Sequence, residues 1–426
     1  MLHWVELDHC MQIKYNIRTL KPSATLAINE YSNELIRQGK KVYKLGFGQS
    51  PFPVPDEVVN ALIEHAHEKD YLPVKGLYVL REAVASYHTR RTMMSVTPED
   101  VLIGPGSKEL LFIAQLSFNG DLIVPAPSWV SYSPQAQITQ KECFWIDTSS
   151  NPKRLLNASL LESFCSMHPD RRFMVILNYP SNPTGATYTS SELKALAEVA
   201  RKYKLLIISD EIYGELTHNG EHRSLTEFYR EGTIVSSGLS KWCGAGGWRL
   251  GTFTFPEELR WLSDAMAVVA SETFTATSAP IQYAAVKAFE FGPNIELYVN
   301  QSRVILQCIS QYVYGELTSV GLTMPEPQGG FYLFPDFAQF REKLNKKGIT
   351  TSSQLCRRIL EETGVALLPG VDFGQSPEEL SARLSYVDFD GKKALDYIKQ
   401  HGNVKDINAV APNMVIACQQ LKEWLL

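Results

Sequence analysis

The stretch of sequence that decides the fold reads GLSKWCGAGGWRLG and runs from Gly238 to Gly251. It follows an apolar pair at 234–235, which is typical of a buried strand, and it is rich in small residues. Lys241 therefore stands just beyond a strand, and Arg249 follows eight positions later. An amine that is desolvated beside other cations has a depressed pKa and becomes a nucleophile toward a carbonyl group. A lone lysine is more often a solvated charge, so a catalytic role needs support from other motifs.

Short apolar runs alternate with helix-like segments from about residue 100 onward. The apolar runs are Val101-Leu102-Ile103, Leu122-Ile123-Val124, Phe173 to Leu177, Leu205 to Ile208 and Ile234-Val235. The helix-like segments between them are Glu109 to Phe118, Ser190 to Tyr203 and Ser224 to Arg230. This alternation predicts an α/β fold in which helices cover a mostly parallel central sheet. Polar loops follow the strands, and in such sheets the ligand crevice lies at the carboxyl ends of the strands.

The length predicts two domains, because 426 residues exceed what a single compact core usually holds. We expect a large domain at 55–294 and a smaller α+β domain at 295–426, with 1–54 forming an arm and part of the small domain. The small domain opens with a helix-like segment, Ile295 to Val320, and contains a second one, Ser352 to Thr363.

Composition and charge argue against several classes of function. The 41 basic and 46 acidic residues give a net charge of -5, so the chain lacks the excess of positive charge that binds nucleic acid or an anionic membrane. No segment approaches the roughly 18 to 20 apolar residues of a membrane span, and the first ten residues do not resemble a secretion signal. Seven scattered cysteines without a C-x-x-C pair suit free thiols in a reducing compartment. We expect a cytoplasmic protein without a metal site.

The segment around Lys241 resembles the cofactor-attachment signature of the class I and II aminotransferases, the fold-type I pyridoxal-phosphate enzymes. The resemblance implies that pyridoxal 5'-phosphate is the cofactor and that Lys241 holds it as a Schiff base, with Ser240 among the cofactor contacts. It also implies that Arg249 pairs with the cofactor phosphate. Many members of the family have serine at the position of Gly238, so one hydroxyl contact to the phosphate is expected to be missing here.

Two further loops match motifs of the same family. Asn182 opens the tetrapeptide Asn-Pro-Thr-Gly, whose asparagine donates a hydrogen bond to the phenolic oxygen of the cofactor in the family. By itself this tetrapeptide would be a turn. Asp210 and Tyr213 stand in Asp-Glu-Ile-Tyr, which resembles the segment whose aspartate pairs with the pyridine nitrogen and whose tyrosine touches the same phenolic oxygen. A buried acid that keeps the ring nitrogen protonated makes the ring an electron sink.

The loop Gly-Pro-Gly-Ser-Lys follows the first strand and leads into a helix, where free backbone amides and the helix dipole can hold a phosphate. The resemblance assigns Gly106, Ser107 and Lys108 to the phosphate, chiefly through backbone amides. Trp129, in Pro-Ser-Trp, matches the aromatic ring that stacks on the cofactor. A tryptophan of the hydrophobic core is the alternative interpretation.

Both ends of the chain resemble the bacterial-type aspartate and aromatic aminotransferase subgroup. The resemblance implies that Gly48 lies against the substrate carboxylate and that Arg383 grips the same group with its planar fork. Asn182 and Trp129 would also line the substrate site. Tyr71 matches a tyrosine that reaches the phosphate of the neighbouring subunit, which implies a homodimer with shared active sites.

The resemblance implies a ping-pong reaction that moves an amino group from an L-amino acid to a 2-oxo acid, with 2-oxoglutarate or a similar acid as acceptor. The freed Lys241 amine would be the general base that removes the α-proton. Lyases, decarboxylases and cyclopropane-forming synthases share Lys241, Asp210, Tyr213 and Arg249, so these reactions are alternatives. A non-enzymatic ligand sensor would need a DNA-binding domain, yet only about twenty residues precede Lys21 and the basic charge is missing.

The sequence leaves the amino donor open. Lys21 matches a lysine that contacts acidic side chains in some members of the family, whereas Tyr132 and Phe274 would suit an aromatic or neutral donor. Many members carry acids in a Gly-Glu-Pro-Asp-Phe loop, but this chain reads Gly-Gln-Ser-Pro-Phe from Gly48 to Phe52. No function is predicted for residues 401–412.

Overall fold

The fold is described from a computed structural model, which covers residues 13–20, 24–92 and 95–426. Lys21, which the sequence predicts as a contact for an acidic side chain, lies outside the described residues. None of the helices in the described ranges is long and apolar enough to cross a membrane.

A seven-stranded sheet forms the centre of the chain, with the strand order β1-β7-β6-β5-β4-β2-β3. Its strands are β1 Val101–Gly104, β2 Asp121–Ala126, β3 Cys143–Asp147, β4 Phe173–Asn178, β5 Leu206–Asp210, β6 Thr233–Gly238 and β7 Gly251–Thr254. All pairings from β6 to β3 are parallel, whereas β7 is antiparallel to both β1 and β6. The predicted mostly parallel α/β sheet is therefore confirmed, and its first six strands all point toward one edge.

Helices cover both faces of this sheet and continue to the end of the chain. They are α1 Tyr15–Arg18, α2 Ala24–Arg37, α3 Asp56–Glu64, α4 Tyr78–Thr92, α5 Ser107–Ser117, α6 Tyr132–Ile138, α7 Ala158–Ser166, α8 Ser190–Lys202, α9 Arg260–Ser271, α10 Ala279–Glu290, α11 Pro293–Thr318, α12 Arg341–Lys346, α13 Ser352–Thr363, α14 Gly391–His401, α15 Ile407–Val410 and α16 Pro412–Leu425.

Side chains of the central strands alternate between two buried faces. Val175 and Ile207 pack with α7 and α8 on one face, whereas Met174 and Ile208 pack with α5, α6 and α9 on the other. Strands that are buried on both sides consist of near-continuous apolar residues, which is why their positions could be predicted.

Three parts of the large sheet region differ from the sequence-based expectation. The segment Ser224 to Arg230 is not a helix but holds a short 3-10 turn, Leu225–Glu227, where the Ser224 hydroxyl accepts from the backbone N–H of Thr226. Strands β3 and β7 were not predicted. Strand β3 contains the apolar run Cys143 to Ile146 but is partly exposed, and β7 reads Gly-Thr-Phe-Thr, with one large apolar residue.

A second sheet of three antiparallel strands lies in the C-terminal part of the chain. Its strands are β8 Tyr332–Leu333, β9 Leu368–Pro369 and β10 Ala382–Ser385, in the order β8-β10-β9. Residues before α3 join this sheet region, because Tyr43 bridges to Val365 and the Ser385 N–H donates to the Leu45 carbonyl at 2.8 Å. The domain boundaries themselves stay predictions.

Candidate active site

The predicted site residues follow the strand ends at one edge of the central sheet. Gly104 and Gly238, which end β1 and β6, both pair with Gly251 at the start of β7. The neighbouring strands β5 and β4 end at Asp210 and Asn178, which pair with each other. The loops that carry Lys241, Asn182 and the start of α5 therefore emerge side by side, as expected for a ligand crevice in an open α/β sheet.

Lys241 occupies the middle of this edge. Its Nζ donates a hydrogen bond to the Gly48 carbonyl at 2.6 Å and lies 5.4 Å from the centre of the Tyr213 ring. Burial, together with the positive charge of Arg383, lowers the pKa of the Lys241 amine to about 7, while the negative charge of Asp210 acts in the opposite direction. An amine with this pKa exists partly in its neutral form near pH 7, and the neutral form can act as a nucleophile or a base.

Asp210 is the buried acid of the site, with an exposed fraction of only 3%. Its Oδ2 accepts a hydrogen bond from the Tyr132 hydroxyl at 2.6 Å, and its Oδ1 faces the Ser236 hydroxyl at 3.3 Å. Burial raises the pKa of the Asp210 carboxyl to about 6, against the lowering effect of these hydrogen bonds. Tyr132, which the sequence predicts as a pocket residue for an aromatic or neutral donor, is fully buried and donates to Asp210, and its part in a substrate pocket stays a prediction. Phe274, named with it, packs against the core beside α9.

Arg383 is buried to an exposed fraction of 2% and projects from β10 toward the same edge. Its Nη1 donates to Asn182 Oδ1 at 3.1 Å and its Nη2 to the Gly46 carbonyl at 2.7 Å. Its Nε has no hydrogen-bond partner among the residues that the structure describes. A buried guanidinium whose hydrogen bonds end on neutral oxygens is suited to receive a carboxylate.

Tyr213 and Tyr332 close the site between Lys241 and Arg383. Their hydroxyl groups lie 2.9 Å apart, and the Arg383 guanidinium lies 4.7 Å from the centre of the Tyr332 ring. Gly48 packs against the same ring, because a Cβ on Gly48 would lie 2.3 Å from the Tyr332 hydroxyl oxygen. Glycine is therefore required at position 48 for the backbone to approach the site this closely.

The predicted phosphate loop is brought against Arg249. Gly106 has a φ of 93°, and a Cβ there would lie 2.0 Å from Nη2 of Arg249, so the guanidinium lies directly on the glycine turn that precedes α5. Helix α5 begins at Ser107, so its first backbone N–H groups lack helical partners and can bind an anion. Lys108 lies 5.0 Å from the centre of the Trp129 ring.

The serine that many family members have at position 238 would not fit in this chain. Gly238 has a φ of 155°, and a Cβ there would lie 2.7 Å from the Leu250 carbonyl oxygen. The strand pairing between Gly238 and Gly251 leaves no room for a side chain. The loss of this hydroxyl, which the sequence predicted, therefore has a backbone cause.

The remaining predicted residues lie at the border of the site or away from it. Ser240 is half-buried beside Lys241. Tyr71 does not reach the site of its own chain, because its side chain is 92% exposed.

Pyridoxal 5'-phosphate fits the groups that surround this crevice. Lys241 lies within electrostatic reach of three other cationic side chains, Lys108, Arg249 and Arg383, and of the buried acid Asp210. This cationic excess suits a ligand that brings a phosphate together with a second ligand that brings a carboxylate. A carboxyl whose pKa is raised by burial would in turn be stabilised by a cation such as a protonated ring nitrogen.

Two residues that contact the site were not singled out from the sequence. They are Tyr332 and Asn178, and neither stands in a motif that was used to predict the site from the sequence. The signal for Tyr332 was the pair of glycines, Gly329 and Gly330, that stands directly before Phe331-Tyr332 and allows close backbone approach. Asn178 is a polar residue at the end of an apolar strand, where its amide can complete hydrogen bonds of neighbouring loops.

The sheet direction, the half-buried lysine, the buried aspartate and the helix N-terminus beside an arginine together define a pyridoxal-phosphate-dependent enzyme of fold type I. The chain belongs to the aminotransferase class I and II family, whose model matches residues 40–390. It is an aminotransferase that depends on pyridoxal phosphate.

Individual relatives are similar over most of their length. An aspartate aminotransferase of Geobacillus stearothermophilus is 34% identical over 387 residues, which covers 88% of this chain and 94% of the relative. An asparagine–oxo-acid transaminase of Streptococcus mutans is 31% identical over 386 residues, covering 88% of this chain and 94% of the relative. The structure of an aspartate aminotransferase from Thermus thermophilus with maleate matches with a TM-score of 0.84 at 28% identity, covering 98% of this chain and 100% of that one.

Proposed function

We propose that the crevice around Lys241 catalyses transfer of an amino group from an L-amino acid to a 2-oxo acid such as 2-oxoglutarate. Lys241 holds the cofactor, Asp210 pairs with its ring nitrogen, and Asn182 and Tyr213 contact its phenolic oxygen. The phosphate contacts come from Gly106, Ser107, Lys108, Ser240 and Arg249, and Trp129 stacks on the ring. When bound, pyridoxal phosphate supplies an aldehyde that combines with amines and a protonated ring that withdraws electrons.

Lys241 is the group that moves the proton. Because the pKa of its amine is lowered to about 7, Nζ can accept the proton of the substrate α-carbon at neutral pH and then act as the acid that returns one. The hydrogen bond from Nζ to the Gly48 carbonyl holds the amine beside the loop that we assign to the substrate carboxylate. Base and bound substrate are thus kept in one place, which supplies the proximity part of catalysis.

Arg383 and Gly48 bind the α-carboxylate that all amino-acid donors share. The Arg383 guanidinium is held on one side by Asn182 and Gly46, and its plane lies near the rings of Tyr332 and Phe373. These contacts fix the planar fork before substrate arrives, so little freedom is lost on binding. The relatives named for aspartate and asparagine make these two amino acids the first donors to test.

We also propose a homodimer in the cytoplasm. The exposed aromatic side chain of Tyr71 supports a contact with the phosphate in a partner subunit, because it does not enter the site of its own chain. Exposed apolar residues such as Tyr78, Trp261 and Val268 could be covered in such a dimer. Six of the seven cysteines lie in the described part of the chain, and all six are free thiols, which supports a reducing compartment.

The observation that carries the proposal is the half-buried Lys241, whose Nζ donates to the Gly48 carbonyl at 2.6 Å and whose amine lies within electrostatic reach of the buried acid Asp210 and the buried cation Arg383. It is tested by titrating the cofactor-loaded protein with single amino acids and no 2-oxo acid while recording visible absorbance. Stoichiometric conversion of the cofactor to its amine form, with release of the matching 2-oxo acid, is expected and identifies the donor. Elimination, decarboxylation or an unchanged spectrum with every donor would overturn it.

A further inference from the structure

Asn178 ends strand β4 directly opposite Asp210, the last residue of β5. Its half-buried side chain lies between two loops that carry proposed cofactor contacts. The Nδ2 of Asn178 donates to the Asp210 carbonyl at 2.8 Å, and its Oδ1 accepts from the backbone N–H of Asn182 at 2.7 Å. One primary amide therefore joins the backbone of Asp210 to the backbone of Asn182.

The two backbone groups that Asn178 joins have fixed roles as donor and acceptor. The Asp210 carbonyl can only accept and the Asn182 N–H can only donate, so the Asn178 amide fits in one orientation. An aspartate of the same shape would keep the contact with the Asn182 N–H but would place two acceptors against each other at Asp210. An alanine would leave both backbone groups without this partner.

The bridge continues to the residue that we assign to the substrate carboxylate. Asn182 uses its side-chain Oδ1 to accept from Arg383 Nη1 at 3.1 Å. Asp210, Asn178, Asn182 and Arg383 thus form one hydrogen-bonded series that spans from the central sheet to β10. The side chain of Asn178, which is not itself a proposed contact of the cofactor or the substrate, therefore links Asn182 to Asp210.

We propose that Asn178 is a positioning residue for amino transfer, which acts by holding Asn182 and Asp210 at the distance that the cofactor ring requires. This inference rests on the proposed roles of those two residues. The visible spectrum of the bound cofactor changes with pH as the cofactor loses a proton. A hydrogen bond from Asn182 to the phenolic oxygen and an ion pair of Asp210 with the ring nitrogen would both favour the loss of this proton. Loosening either contact therefore raises the pH midpoint of that spectral change.

The test compares Asn178→Ala and Asn178→Asp with a matched control, Asn151→Ala. Asn151 makes the same pair of contacts within a loop outside the site, because its Nδ2 donates to the Leu155 carbonyl at 2.8 Å and its Oδ1 accepts from the Lys153 N–H at 3.0 Å. Both alanine variants lose two hydrogen bonds, so urea unfolding of the cofactor-free proteins is expected to show a similar loss of stability. This comparison separates a positioning role from a structural one.

The spectral midpoint of the cofactor-loaded protein and the half-reaction rate are then measured for all three variants. We expect Asn178→Ala to raise the midpoint by about 0.5 pH unit or more and to lower kcat/KM about tenfold or more. Asn178→Asp is expected to raise the midpoint as well, and it carries the test if the alanine variant does not fold. Asn151→Ala is expected to keep the native midpoint and kcat/KM.

Native midpoint and kcat/KM in the Asn178 variants, or equal changes in Asn151→Ala, would contradict the positioning role. Such a result would leave the proposed function intact, because the native protein would still transfer amino groups. A native protein that shows no cofactor band or no amino transfer would instead overturn the proposed function itself. The two failures are therefore distinguishable in one set of measurements.

Discussion

The hydroxyl groups of Tyr213 and Tyr332 lie 2.9 Å apart at the buried centre of the site. Burial and the neighbouring Tyr332 hydroxyl raise the pKa of Tyr213, so both groups are neutral near pH 7 and each has a single proton to donate. A proton donated by Tyr332 to Tyr213 leaves the Tyr213 proton free for the phenolic oxygen of the cofactor. The pair therefore couples a residue of the small sheet to a proposed cofactor contact.

Removal of the Tyr332 hydroxyl is expected to weaken catalysis more than stability. In Tyr332→Phe the Tyr213 hydroxyl loses its partner, and kcat/KM for the amino donor should fall about tenfold while the cofactor stays bound. Tyr229→Phe is the control, because its hydroxyl donates to the Leu205 carbonyl at 2.8 Å outside the site. Equal kcat/KM in native protein and Tyr332→Phe would show that the tyrosine pair has no part in the reaction.

Gly48→Ala is expected to destabilise the protein through one contact. The added Cβ would lie 2.3 Å from the Tyr332 hydroxyl oxygen but 3.4 Å from the ring carbon that bears it. Overpacking of this kind costs about 1 to 3 kcal/mol, and displacement of the loop should also raise KM for the amino donor. The double variant with Tyr332→Phe should recover most of the lost unfolding free energy, as measured with urea. Strictly additive losses would place the clash elsewhere.

Asp210→Asn is expected to abolish amino transfer and yet to stabilise the cofactor-free protein at pH 7.5. The pKa of Asp210 is raised from 3.8 to about 6 in the folded protein, so the folded state binds the extra proton between these values. The stabilisation of the folded state by this proton on Asp210 is fully present below about pH 4 and is lost as pH rises through about 6. The neutral amide avoids this loss, and a gain on the order of 1 to 2 kcal/mol in unfolding free energy is expected.

The gain from Asp210→Asn should depend on pH in the stated direction. Urea unfolding of both cofactor-free proteins between pH 5 and pH 8 is expected to show a small difference at the acidic end that widens toward neutral pH. A difference that is constant with pH, or a less stable variant at pH 7.5, would show that Asp210 is not held as a destabilising carboxylate.

Mixed dimers are expected to recover activity from two inactive variants. Tyr71→Ala should weaken the phosphate contact in the partner's site, whereas Lys241→Ala removes the amine of its own site. A dimer with one chain of each kind contains one intact site, so random mixing should restore about a quarter of native activity. Activity that stays at the sum of the separate variants would show that Tyr71 does not complete the partner's site.

The sequence predicted the central sheet because β2, β4 and β5 are apolar runs buried on both faces. It missed β7, which reads Gly-Thr-Phe-Thr, because the pairing of Gly251 with Gly104 and Gly238 decides the strand rather than local propensity. It was wrong about Ser224 to Arg230, where a serine cap starts a single turn. Local signals of this kind cannot distinguish one turn from a longer helix.

Motifs in the sequence predict Lys241, Asp210 and Asn182 as site residues, and their roles stay predictions. The structure brings Lys241, Asp210 and Arg383 within electrostatic reach of one another, which no spacing in the sequence indicated. The hydrogen bond from Tyr132 to Asp210 and the bridge made by Asn178 depend on contacts between elements that are far apart in sequence. Such contacts follow from tertiary packing, and the residue types alone do not identify the partners.

The central claim is that Lys241 binds the cofactor. It is tested most directly by reducing the cofactor-loaded protein with borohydride, digesting it and locating the modified lysine by mass spectrometry. The modification is expected on Lys241 alone, and it should vanish in Lys241→Ala. Modification of another lysine in the native protein, or undiminished labelling of Lys241→Ala, would contradict the account.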